Sequence, residues 1–149
     1  METVCQINFN FMNWREEVLA ERVLRGFLLA CCDQVKMTLI SSSSVSLYIT
    51  RRIHPKELSK FFSKNDLAEE NSHFWIFNLT ENVKDFINQA TLFLNGRRNI
   101  FHGFSDPHFL KDGKAVGIML GEKILNLRIP DIEKKELAEK GVYTDSPFI

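Results

Sequence analysis

Arg97, Arg98, Asn99 and His102 crowd one short stretch of this 149-residue chain, and their side chains suit chemistry at a phosphate ester. An imidazole has an ordinary pKa of about 6.5, so it accepts or donates a proton near neutrality. A guanidinium forks onto two phosphate oxygens and stays charged throughout. His102 could therefore manage protons while Arg97 stabilises a pentavalent phosphate without a metal. Asn99 could hydrogen-bond the phosphate or hold the imidazole in one tautomer. Arg97 lies at a four-residue spacer from His102 but is followed by Arg98. Arg98 precedes Asn99 but leaves a three-residue spacer, so either arginine could be the catalytic one. Arg51 and Arg52, with His54 close behind, form a second basic cluster that could bind substrate or be a solvated turn.

The element expected to position the first cluster is a helix over 79–103. Val83, Ile87, Ala90, Leu94 and Phe101 fall on one face at helical spacing, flanked by Phe86 and Phe93. Asn78 is the expected N-cap, with Glu81 three residues on, and Gly103 the expected residue just past the end. Arg97 falls on the apolar stripe. An unpaired buried charge there would cost several kcal/mol, so that face must open onto water, an anion or a counter-charge. The plain alternative is that cations gather at a helix C-terminus for the roughly 0.3–1 kcal/mol that each gains there.

The pattern Arg-(x4)-His with Asn in the spacer, at a helix end and followed by a break at 104–108 and a second amphipathic segment at 113–127, resembles the HEPN superfamily. The resemblance covers about 78–127. It implies a mainly α fold, a bundle of about four to five helices forming one domain over 1–149, to which the two-stranded β addition read from the residues near the N-terminus would be unusual. It also implies a metal-independent endoribonuclease of defence or toxin type working at a dimer cleft. Arg97, Asn99 and His102 would then be catalytic, and Arg98, Arg51 and Arg52 substrate-binding. Partners would be RNA, a second copy of the chain, and an antitoxin or regulatory protein. In the toxin branch a tyrosine stands two residues after the histidine and is modified by the antitoxin; here Phe104 stands there, which excludes that control. The alternative function is a non-catalytic helical module binding a nucleotide or a protein partner, and a third is a helical interaction protein of unrelated fold.

Composition restricts these readings. With 19 basic and 19 acidic residues the net charge is zero, so RNA would be held by local patches through few phosphate contacts, modestly and salt-sensitively. Thirteen phenylalanines against two tyrosines and two tryptophans predict a dry aromatic core and an adhesive subunit interface. Three cysteines, Cys5, Cys31 and Cys32, fit reduced thiols in a cytoplasmic protein. They and the histidines lack metal-ligand spacing, so neither a structural metal nor a cofactor is expected. Neither a signal peptide nor an apolar run of membrane-spanning length is expected.

Elsewhere, Ile7, Phe9 and Phe11 alternate as in a strand or extended arm. Asn13 and Glu16 predict the capped start of a helix from about Trp14 to Gln34 or beyond. Ser41 to Ser44 make a break, after which Val45, Leu47 and Ile49 read as a strand, partnered by 7–11, or as a helix. Pro55 predicts a helix start, with Leu58, Phe61, Phe62 and Leu67 on its apolar side. Residues 66–73 read as a loop, 74–77 as an apolar cluster, and 105–107 as a turn. A helix is expected over 112–127, with Gly113, Gly117 and Gly121 implying close approach to a neighbouring helix, the favoured reading, or else a less stable element. A short charged helix over 131–140 should end at Gly141.

Overall fold

The structure, a computed structural model, describes residues 2–39, 59–89, 93–94, 104–120 and 123–142. Its centre is a seven-stranded sheet, every adjacent pair antiparallel, in the order β1-β7-β6-β5-β2-β4-β3. The strands are β1 (Glu2–Asn8), β2 (Gln34–Leu39), β3 (Leu67–Glu70), β4 (Phe74–Asn78), β5 (Phe104–Lys111), β6 (Lys114–Leu120) and β7 (Ile124–Pro130). Three α-helices accompany them among the described residues: α1 (Trp14–Cys31), α2 (Glu81–Asn88) and α3 (Asp131–Glu139). The expected mainly α bundle is thereby overturned: backbone pairing between strands organises the fold, and the helices bury their apolar residues in one core with the strands.

Helix α1 starts where the sequence marks it. Asn13 Oδ1 accepts the N–H of Glu16 at 2.9 Å, and Glu16 Oε1 accepts the N–H of Asn13 at 3.3 Å, a complete capping box. It ends at Cys31 rather than Gln34, because Asp33 N–H donates to Leu110 O at 2.9 Å and the chain has already joined the sheet. This helix joins edge strand β1 to β2 across β7, β6 and β5. Eighteen residues span about 27 Å, enough for the four inter-strand spacings, roughly 19 Å, that separate them.

The core lies between the sheet and the helices. Leu24 and Leu28 of α1, Val83 and Ile87 of α2 and Leu137 of α3 join Cys5, Ile7, Val35, Met37, Phe77, Phe109, Leu125, Leu127 and Ile129 in one buried cluster. Phe62, after a 3-10 turn at Ser59–Phe61, stacks edgewise on Phe77 and Phe86, closing the core beside β4. Phe93 meets Phe109 in the same way.

Several sequence-based expectations change. Residues 112–127 are not a helix: β5 and β6 are joined by a two-residue turn at Asp112 (φ 50°) and Gly113 (φ 79°), with Lys111 opposite Lys114. Val116 to Leu127 had looked helical because apolar residues stand on both faces of β6, which mimics a helical period. Gly117 does mark close approach, since a Cβ there would lie 2.8 Å from Leu28 Cδ2 of α1. Helix α2 takes up only Glu81–Asn88 of the predicted 79–103, and its N-cap is Thr80, whose Oγ1 accepts from Val83 N; Asn78 ends β4 instead. Residues 105–107 belong to β5 and 67–70 to β3. Of the strand or arm expected through Ile7, Phe9 and Phe11, only Ile7 lies in β1, which runs Glu2–Asn8 paired with β7; Phe9–Phe11 form a 3-10 turn instead. The expected strand or helix at 45–53 and the helix start at Pro55 lie outside the described residues.

Helix α3 matches its expectation. Asp131 and Glu133 suit the positive end of its dipole. At the other end Gly141 (φ 90°) donates to Ala138 O at 3.0 Å and Val142 N–H to Leu137 O at 2.9 Å, a Schellman closure sealed by buried Leu137 and Val142.

Candidate functional site

The residues singled out from sequence, Arg97, Arg98, Asn99, His102, Arg51 and Arg52, all lie outside the described residues. What is described is where their segments are rooted. Leu39, the last residue of β2, is the register partner of Phe104, the first of β5. Segment 40–58, carrying Arg51 and Arg52, thus leaves the sheet beside the point where segment 95–103, carrying Arg97 to His102, enters it. Basic clusters far apart in sequence are rooted at one end of two neighbouring strands.

The other root of 95–103 is held from below by α1. Glu21 is fully buried, and its Oε1 accepts the N–H of Phe93 at 3.0 Å and of Leu94 at 3.2 Å. Its Oε2 pairs with the Arg25 guanidinium, one turn on, which also donates to Ile87 O at 3.1 Å. A buried pair is tolerated only when its remaining hydrogen-bonding sites are satisfied; here the end of α2 and the chain at 93–94 do so. Nothing in the sequence around Glu21 distinguishes it from a solvent-facing helix residue, so its role was not legible there.

Below the shared root, on the sheet face away from the helices, the register aligns one residue per strand: Gln6, Asn126, Ile118, His108, Lys36, Ile76 and Glu69. All but exposed Glu69 are half-buried. His108 and Lys36 are directly opposed on β5 and β2, the strands from which the basic segments depart. Lys36 Nζ sits 4.2 Å from the Phe74 ring centre, a cation held over an aromatic face. His108, which the sequence placed in a loop, is a strand residue of this row. Asn126 Oδ1 is buried without a hydrogen-bond partner. His73 is exposed in the turn between β3 and β4.

Two further features lie elsewhere. Cys31 and Cys32 end α1 with their sulfurs 3.5 Å apart. The hydrogen bond from Cys32 lowers the Cys31 thiol against the opposing effects of burial and Glu133, aided by Lys111. That same bond and burial push the Cys32 thiol up. None of the three cysteines is in a disulfide. Around the start of α1, Phe11, Trp14 and Leu19 are 70%, 54% and 58% exposed. Phe11 and Leu19 line a groove of about 360 Å³ with Ala20 and Val142.

Among the described residues no cluster of three or more His, Cys, Asp or Glu could hold a metal ion, and no helix is long and apolar enough to cross a membrane. No family model, curated protein or solved structure matches this chain.

Proposed function

We propose that the protein binds RNA through its phosphates at the β2/β5 end of the sheet and cleaves it without a metal, with His102 moving the proton and Arg97 or Arg98 stabilising the phosphate. The observation that carries this is the Leu39–Phe104 pairing, which roots both basic segments side by side. Lys36 and His108 stand on the same two strands, and segments rooted on a rigid scaffold are common carriers of binding groups. The HEPN resemblance supplies the choice of His102 and Asn99, but the all-α bundle that it implied is not this fold. Helix α2 ends at Asn88, so the expected single helix running on from 79 does not reach Phe93 and Leu94, while Arg97 itself lies outside the described residues. A cytoplasmic location fits the three thiols.

The test is RNA binding and cleavage in EDTA at low salt. Arg51→Ala/Arg52→Ala and Arg97→Ala/Arg98→Ala should each weaken binding and flatten its salt dependence by about one unit for every phosphate no longer neutralised. His102→Ala should leave binding intact and abolish cleavage. Binding without cleavage would reduce the reading to a non-catalytic RNA module; no binding by the wild type would overturn it.

A second reading rests on the exposed Phe11, Trp14 and Leu19 around their groove. Exposed apolar side chains beside a groove are the kind of surface that binds protein. The partner would be a second copy of this chain or a regulatory protein. Trp14→Asp should abolish a dimer seen by light scattering, or capture of a partner, without changing RNA affinity.

A further inference from the structure

The end of α1 carries a pair of thiols whose geometry suits chelation better than bridging. Cys31 and Cys32 are sequence neighbours with sulfurs 3.5 Å apart, and Cys31 is half-buried while Cys32 is 7% exposed. Adjacent α-carbons across a trans peptide are about 3.8 Å apart, below the roughly 4.4 Å at which ordinary disulfides begin. The backbone here is pinned against adjusting: Cys32 N–H donates to Leu28 O at 3.0 Å, Asp33 N–H to Leu110 O at 2.9 Å, and Asp33 O accepts from Leu79 N at 2.8 Å. Asp33 Oδ2 also accepts from Asp112 N at 3.1 Å, tying the pair to the β5–β6 turn.

A single atom bound to both sulfurs meets no such obstacle. Taking bonds to sulfur of about 2.3 Å, the length thiolates make to zinc, the two sulfurs subtend about 100° at a shared centre. A linear two-thiolate ion would need the sulfurs about 4.6 Å apart on the same bond length. A closed tetrahedral zinc site would need four ligands, and no cluster of three or more candidates exists among the described residues. Trivalent arsenic is pyramidal, carries a lone pair, and needs only two thiols and one other group.

We infer that Cys31 and Cys32 form a preorganised vicinal dithiol that captures trivalent arsenicals from solution, Cys31 bonding first and Cys32 closing the ring. The step is a condensation: each S–H gives its proton to an oxygen leaving arsenic, two As–S bonds form, and arsenic remains trivalent. With phenylarsine oxide the balance is one arsenical and two thiols giving one dithioarsinite and one water.

The experiment incubates the native full chain with phenylarsine oxide in excess monothiol and reads intact mass and thermal midpoint. Wild type and Cys5→Ser should each gain one adduct, with the midpoint raised, since a ligand of the native state stabilises it. Cys31→Ser and Cys32→Ser should lose the adduct, single thiols being outcompeted. Blocking the accessible Cys31 of the wild type by mild alkylation should prevent capture with no substitution made, so a folding failure of a variant cannot imitate the result. Absence of an adduct on native wild type, survival of the adduct in either serine variant, or a lowered midpoint would each overturn the assignment.

Discussion

Glu21 and Phe93, 72 residues apart in sequence, are joined by a hydrogen bond of 3.0 Å from the Phe93 N–H to the Glu21 carboxylate, wholly inside the protein. Through it, and through the neighbouring bond from Leu94, helix α1 fixes one end of the segment that carries Arg97 to His102. Glu21→Ala would strand the Arg25 guanidinium and two backbone donors in the core. We expect a loss of about 3–5 kcal/mol in urea unfolding, the usual cost of breaking a buried ion pair. A change below about 1 kcal/mol would show that the carboxylate does not bear on this segment.

Asp66 ties the start of α2 to the turn before β3. Burial pushes its carboxyl up, but hydrogen bonds from Thr80 Oγ1, Ser63 N–H, Asn82 Nδ2 and Ser63 Oγ outweigh it and hold the pKa below its ordinary 3.8. A depressed acid stabilises the fold above its unfolded pKa and ceases to do so as pH falls through the folded value. The stability advantage of wild type over Asp66→Asn should therefore be full at neutral pH and begin to shrink as pH drops below about 4. Urea unfolding from pH 7 to pH 3 would measure it; a gap that widens on acidification would refute the assignment.

Gly117 sits where β6 meets α1. An added methyl would press on Leu28, which is fully buried and has little room to yield. Gly117→Ala should cost about 1–3 kcal/mol of stability, as overpacked cores do. A smaller Gly117→Ala penalty in a Leu28→Ala background than in wild type would identify the clash responsible, and an unchanged penalty would point elsewhere.

Asn126 keeps its Oδ1 buried with no partner, next to Gln6 at the β1 edge of the cross-strand row. Replacing such a group by an apolar one of similar size removes a desolvation penalty. Asn126→Leu should leave stability unchanged or raise it by about 1 kcal/mol. A clear loss of stability would mean that the amide has a partner that the fold requires.

Local signals in the sequence settled what local chemistry settles. The Asn13–Glu16 box and the Gly141 terminus depend on residues within one turn of each other, and both stand where their signals predict, whereas the alternation of Ile7, Phe9 and Phe11 overran β1, which ends at Asn8. Residues 113–127 were decided by pairing instead: Val116, Met119, Leu120, Ile124 and Leu127 fit a helical period, yet β6 finds partners on both sides, β5 through the Asp112-Gly113 turn and β7 next along the chain. That Asp-Gly step was the available signal for the hairpin. Helix α2 ends at Asn88 for a related reason: Arg25 holds Ile87 O and Glu21 holds the Phe93 and Leu94 N–H groups, contacts from a helix distant in the chain that no local period shows. The sequence alone showed that basic residues cluster at Arg51 and at Arg97. Only the tertiary pairing of Leu39 with Phe104 brought their roots together, since register between strands distant in the chain leaves no periodic trace in either.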